Sequence, residues 1–208
     1  MYQPKNVVSS AGELKSILGP DFPSQVAKVI DHIDDHCRAW IERTPFVVIA
    51  SAGSSGMMDV SPKGDPAGFV QVLDPKTLAV PDRLGNHRGD TFLNVLENPN
   101  VALMFIIPLR REVVRVVGKA QVVRDPDLLA SMTVNGKQPD LALVVRVEEA
   151  FFHCGKAMIR SHMWEPEKWA SIDGLPTYAT ALKDHGNLPD TLEYLEQRMH
   201  NNEVNRLY

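Results

Sequence analysis

Arg83 and Arg88 bracket Leu84-Gly85-Asn86-His87 and are followed at once by Gly89-Asp90. Forked guanidinium donors match the oxygens of a phosphate, and glycine permits turns tight enough to aim amide N–H groups at the same anion. A helix starting here adds the partial positive charge of its N-terminus. The chemistry expected of the stretch Pro81–Asp90 is therefore capture of a phosphate monoester, which carries nearly two negative charges at neutral pH. Asp90 would repel that group if it turned inward. It is placed as the N-cap of a helix over Thr91–Glu97, folded back on its own amides.

Such a turn has to be held between rigid elements, and the flanking sequence supplies them. Phe46–Ala50, Met57–Pro62, Phe69–Leu73 and Thr77–Val80 read as short strands, separated by the Gly/Ser-rich turn Ser51–Gly56 and by Asp74-Pro75-Lys76. After Asn98-Pro99-Asn100, three further runs, Val101–Ile107, Glu112–Val123 and Leu141–Val147, are rich in β-branched residues. The pattern is that of a mainly β, α+β chain built on a small closed or split barrel of about six strands with flanking helices.

Helices are expected at both ends. From Ser24 to Arg43 the apolar residues Val26, Val29, Ile30, Ile33, Cys37, Trp40 and Ile41 recur at helical spacing, and Thr44-Pro45 closes the run. Phe151–Ile159 reads as a helix carrying His153, Cys154 and Lys156, and Leu192–Met199 as a last helix. The expected organisation is a helical segment over 1–44, a barrel over 45–166 and an extension over 167–208.

At 208 residues and 44% hydrophobic, the chain can bury a real core as one domain with decorated ends. A net charge of -4 excludes broad nucleic-acid binding, which needs a basic face. The two cysteines, Cys37 and Cys154, form no CxxC or Cys/His pattern, so a reducing, cytoplasmic home is expected. No apolar run is long enough to span a bilayer, and Met1–Ser10 lacks the features of a secretion signal. His32 and His36 share a helical face, but no third ligand of suitable spacing follows and no metal site is expected. Trp40 reads as core, Cys154 as a small hydrophobe, and Arg110-Arg111 as a solvated hairpin end.

Three blocks carry a resemblance: Asp59-Val60-Ser61-Pro62-Lys63-Gly64-Asp65; Pro81-Asp82-Arg83-Leu84-Gly85-Asn86-His87-Arg88-Gly89-Asp90-Thr91; and His153-Cys154-Gly155-Lys156-Ala157 through Arg160-Ser161-His162-Met163-Trp164. In these the chain, from about Pro45 to Pro166, resembles the pyridoxamine 5'-phosphate oxidase-like FMN-binding split-barrel family. The resemblance implies FMN as cofactor, with Val60, Ser61 and Lys63 along the ring and ribityl chain and Arg83, Asn86, His87 and Arg88 at the phosphate. It also implies a homodimer whose flavin sites lie at the interface, each completed by Lys156, Arg160, Ser161 and Trp164 of the other subunit. The Ser-Arg-Lys phosphate signature of the phosphate oxidases themselves is replaced by Gly-Asn-His-Arg, and no pyridoxal-binding segment is recognisable in Leu192–Tyr208. The implication is an FMN-dependent oxidoreductase of undefined small-molecule substrate, and it does not extend to vitamin B6 oxidation.

FMN itself stores electrons and accepts hydride, so no nucleophile or triad is required of the chain. Lys63 is expected near the pyrimidine end of the ring, and Trp164 over one face. Two other classes suit the same residues. One is a flavin carrier or sensor without turnover; the other is a split barrel holding haem, with His87 or His153 as axial ligand, or a deazaflavin.

Overall fold

β-Branched and aromatic residues pair into a single antiparallel sheet of seven strands in the computed structural model, which describes residues 1–208. The strands are β1 (Phe46–Ala52), β2 (Met58–Gly64), β3 (Gln71–Asp74), β4 (Thr77–Pro81), β5 (Asn100–Ile106), β6 (Val113–Val123) and β7 (Ala142–His153). Their order is β2-β1-β5-β6-β7-β4-β3. The sheet does not close, because β2 and β3 are edges that pair only inward. All seven runs expected from the sequence are strands, one more than the count of six.

The period of two decides what each strand buries. Val47, Ile49 and Ser51 of β1 point into the core, with Leu103 and Phe105 of β5 and Val114 and Val116 of β6 beside them. Full burial of each of the apolar side chains among them stabilises the fold by about 1.5–3 kcal/mol. Between Val117 and Gly118 the β6–β7 register shifts, and a Cβ at Gly118 would run into the Arg146 carbonyl oxygen. Only glycine fits that bulge.

Eight α-helices accompany the sheet: α1 (Ala11–Leu18), α2 (Pro23–Ala27), α3 (Asp35–Ile41), α4 (Asp90–Glu97), α5 (Pro126–Ser131), α6 (Lys156–Arg160), α7 (Tyr178–Gly186) and α8 (Leu192–Asn205), of which α3 and α4 pack against its strands. The single helix expected over Ser24–Arg43 is two. Ile30 leaves helical geometry to exchange both backbone hydrogen bonds with Ala150 of β7, at 3.0 and 2.7 Å, and Asp34 then starts α3 by accepting from the Cys37 N–H at 2.8 Å. Ile33, Cys37 and Ile41 join the core. Burial, aided by Asp34, pushes the Cys37 thiol up to about 12, so it acts as a hydrophobe.

The helix expected over Phe151–Ile159 is also corrected. β7 runs on to His153 because its partner β6 is long enough to pair with it there, Val113 facing His153. The helix begins only at Lys156. Helices α1, α5 and α7 were not expected, although Ser10, Asp125 and Thr177 cap them with side-chain oxygens. No helix is long and apolar enough to cross a membrane.

Candidate functional site

Strand β2, the turn that follows β4 and the first turn of α4 enclose a cleft of about 440 Å³. That volume suits a small molecule of cofactor size. β4 pairs with the start of β7, Pro81 opposite Ala142, and the Asp82 N–H donates to the Leu141 carbonyl at 2.9 Å. The loop Lys137–Leu141 is thereby brought in as a fourth wall. Val60, Ser61 and Lys63 all border the cleft, and the Lys63 ammonium sits 5.5 Å from the centre of the Phe92 ring.

Arg83 also borders the cleft, with much of its hydrogen-bonding capacity already used. Its Nε donates to Asp65 Oδ2 at 2.5 Å and its Nη2 to the Met132 carbonyl at 2.8 Å. Tyr208 joins them: its hydroxyl donates to Asp65 Oδ1 at 2.6 Å, and its ring lies 5.8 Å from the Arg83 guanidinium. Neither Asp65 nor Tyr208 was expected here. Tyr208 lies beyond α8 with no motif around it, and only the three-dimensional fold brings it to Arg83.

The turn itself is built on left-handed backbone. His87 has φ 58° and Gly89 φ 67°, and the Asn86 side-chain oxygen accepts from the Arg88 N–H at 3.0 Å. The N-cap of α4 is Gly89 and not Asp90, which corrects the expectation. Asp90 is the first helical residue, and its Oδ2 accepts instead from Arg88 Nε at 2.7 Å. The first turn of α4 consequently has no side-chain cap for its free amides, and Gly89, Asp90, Thr91 and Phe92 line the same cleft as Asn86 and His87. Arg88 is largely exposed and is not part of the lining.

Charge in the cleft is mixed. Lys63, Arg83 and Lys137 face Asp59, Asp82, Asp90 and Asp140. Burial raises the Asp82 carboxyl above its ordinary value, with the neighbouring Lys63 opposing that rise. An anion bound here would rest more on oriented amides than on net positive charge. Those amides, the left-handed turn and Lys63 fit a phosphate-bearing cofactor.

The third block lies elsewhere. Lys156, Arg160 and Ser161 are exposed on or just after α6, and the Trp164 indole N–H donates to the Arg110 carbonyl at 2.7 Å. None of the four lines the cleft of its own chain. His153, at the end of β7, is likewise outside it, whereas His87 is in the lining. On the outer surface, β2, β1 and β5 bring Phe46, Met58, Val60 and Met104 onto one exposed apolar face.

The sequence of residues 33–154 matches the family model described as pyridoxamine 5'-phosphate oxidase. The chain belongs to that family. Its antiparallel sheet with flanking helices is the family's split-barrel architecture, here with seven strands and an unclosed sheet. Similar solved structures include HupZ of Group A Streptococcus, at 18% identity over 58% of this chain and 93% of that one, with a TM-score of 0.48. A candidate pyridoxamine 5'-phosphate oxidase of Lactobacillus delbrueckii is 22% identical over 59% of this chain and 95% of that one, TM-score 0.46. An FMN-binding protein of Syntrophomonas wolfei is 11% identical over 55% and 82%, TM-score 0.44. No curated protein matches the sequence.

Proposed function

We propose that this family member binds FMN in the cleft between β2 and the turn after β4 and serves as an FMN-dependent oxidoreductase on a small molecule. The observation that carries this reading is the convergence on one cleft of the β2 residues Val60, Ser61 and Lys63 with the uncapped first turn of α4. FMN, when bound, supplies the hydride and electron chemistry. The chain's part is to bind and orient it. Asn86, His87 and the α4 amides take the phosphate, with Arg83 as a buttress and Arg88 free to swing in; Lys63 places a positive charge beside the ring.

The working unit in this reading is a homodimer. Its support is the apolar face of β2, β1 and β5 and the position of Lys156, Arg160, Ser161 and Trp164, the first three exposed and the tryptophan half-buried, none of which lines its own chain's cleft. A second copy packed on that face would complete each site.

The test is the visible spectrum of purified protein, before and after incubation with FMN, followed by addition of NADH or NADPH. A bound flavin spectrum that bleaches and then recovers with an acceptor supports the oxidoreductase; bound flavin that no donor reduces favours a carrier or sensor. Protein that remains colourless after soaking overturns the cofactor. His87 in the lining is the observation that favours a haem alternative, and the same spectrum separates haem and deazaflavin from FMN.

A further inference from the structure

Tyr208 is attached to the cleft in an unequal way. The chain leaves α8 after Asn205, and Arg206 and Leu207 are both exposed, so the segment that carries Tyr208 has no buried anchor of its own. Its phenol donates to Asp65 Oδ1, and the ring lies 5.8 Å from the Arg83 guanidinium. The base on which it docks is fixed: the Asp65 side chain is 1% exposed, Arg83 holds its second oxygen, and Arg83 is tied in turn to the Met132 carbonyl. A ring held through one hydroxyl to a buried ion pair, on a segment otherwise exposed, is the arrangement of a catch. The ring lines the same cleft as Lys63 and Asn86.

We propose that Tyr208 is a releasable wall of the cofactor cleft, so that FMN enters and leaves when the phenol lets go of Asp65. The inference rests on the FMN reading above and adds to it a residue that controls passage. A fixed contact residue would slow only departure; a wall slows arrival and departure alike, and leaves the equilibrium constant nearly unchanged.

Stopped-flow flavin fluorescence on the full chain measures both rates for wild type, Tyr208→Phe and Tyr208→Ala. Tyr208→Phe keeps the ring and removes only the hydroxyl, and is expected to raise both rates by roughly tenfold, the worth of one charge-assisted hydrogen bond, with Kd changed less than about twofold. Tyr208→Ala is expected to raise both further. Unchanged rates, or a rise in dissociation alone, overturn the wall. Wild-type protein that takes up no FMN overturns the cofactor reading itself, and the wall falls with it; a wild type that binds FMN at rates both variants share overturns the wall alone.

Discussion

Asp65 and Arg83 form a buried ion pair, Oδ2 to Nε at 2.5 Å, with side chains only 1% and 15% exposed. Two charges removed from water are tolerable only when hydrogen bonds satisfy the remaining oxygens and N–H groups, and here Tyr208 and the Met132 carbonyl do so. Arg83 is thus a structural cation first, which anchors the turn from beneath.

Removing one partner leaves the other charge unpaired. Asp65→Asn is expected to lower the unfolding free energy by about 3 kcal/mol, read from urea denaturation. A loss below about 1 kcal/mol would mean the pair behaves as a solvated one.

Arg88 offers the contrast. Its side chain is exposed and bonded only to Asp90, which it can leave at little cost. Arg88→Ala should leave the melting temperature unchanged and weaken FMN binding roughly tenfold, the effect of one lost charge-assisted contact. Wild-type affinity in this variant, by fluorescence titration, removes Arg88 from the phosphate site.

Much of this was readable in the residues. The turn Pro81–Asp90 and strand β2 stand out because Arg, Gly and Asn are grouped between β-branched runs, a local signal that survives folding. Tyr208 and the loop Lys137–Leu141 give no such signal. They reach the cleft only through the pairing of β4 with β7 and the path of the chain after α8. The helix expected over Ser24–Arg43 failed for a related reason: its apolar spacing is genuine, but Ile30 gains two hydrogen bonds from a strand far away in sequence. Asp90 was misplaced by one residue because left-handed Gly89 makes the cap itself.

The apolar face of β2, β1 and β5 predicts self-association. Met104 is on that face beside Val48 and Arg115, and Met104→Lys adds a charge there without touching the cleft. Sedimentation at micromolar concentration should show a wild-type dimer and a monomeric variant with weakened FMN binding. A wild-type monomer that holds FMN contradicts the shared site.

Asp82 gives a pH signature. Burial raises its folded-state pKa above the unfolded value, so its contribution to stability is full below the ordinary 3.8 and is lost as pH rises through the folded value. Asp82→Asn cannot titrate. The variant should therefore gain stability relative to wild type as pH climbs from 3.8 through that acid window, then keep a constant advantage; thermal melts across the range decide it. An advantage that shrinks with rising pH would show that Lys63 outweighs burial.

The paired hydrogen bonds between Ile30 and Ala150 bear on how the protein is made. A ribosome releases the first of these residues long before the second exists, so the segment that bridges to β7 must wait, apolar and unclaimed, while most of the polypeptide is still being translated. Chaperone dependence during synthesis should therefore concentrate on this early stretch, and relocating it behind β7 by circular permutation would shorten the wait.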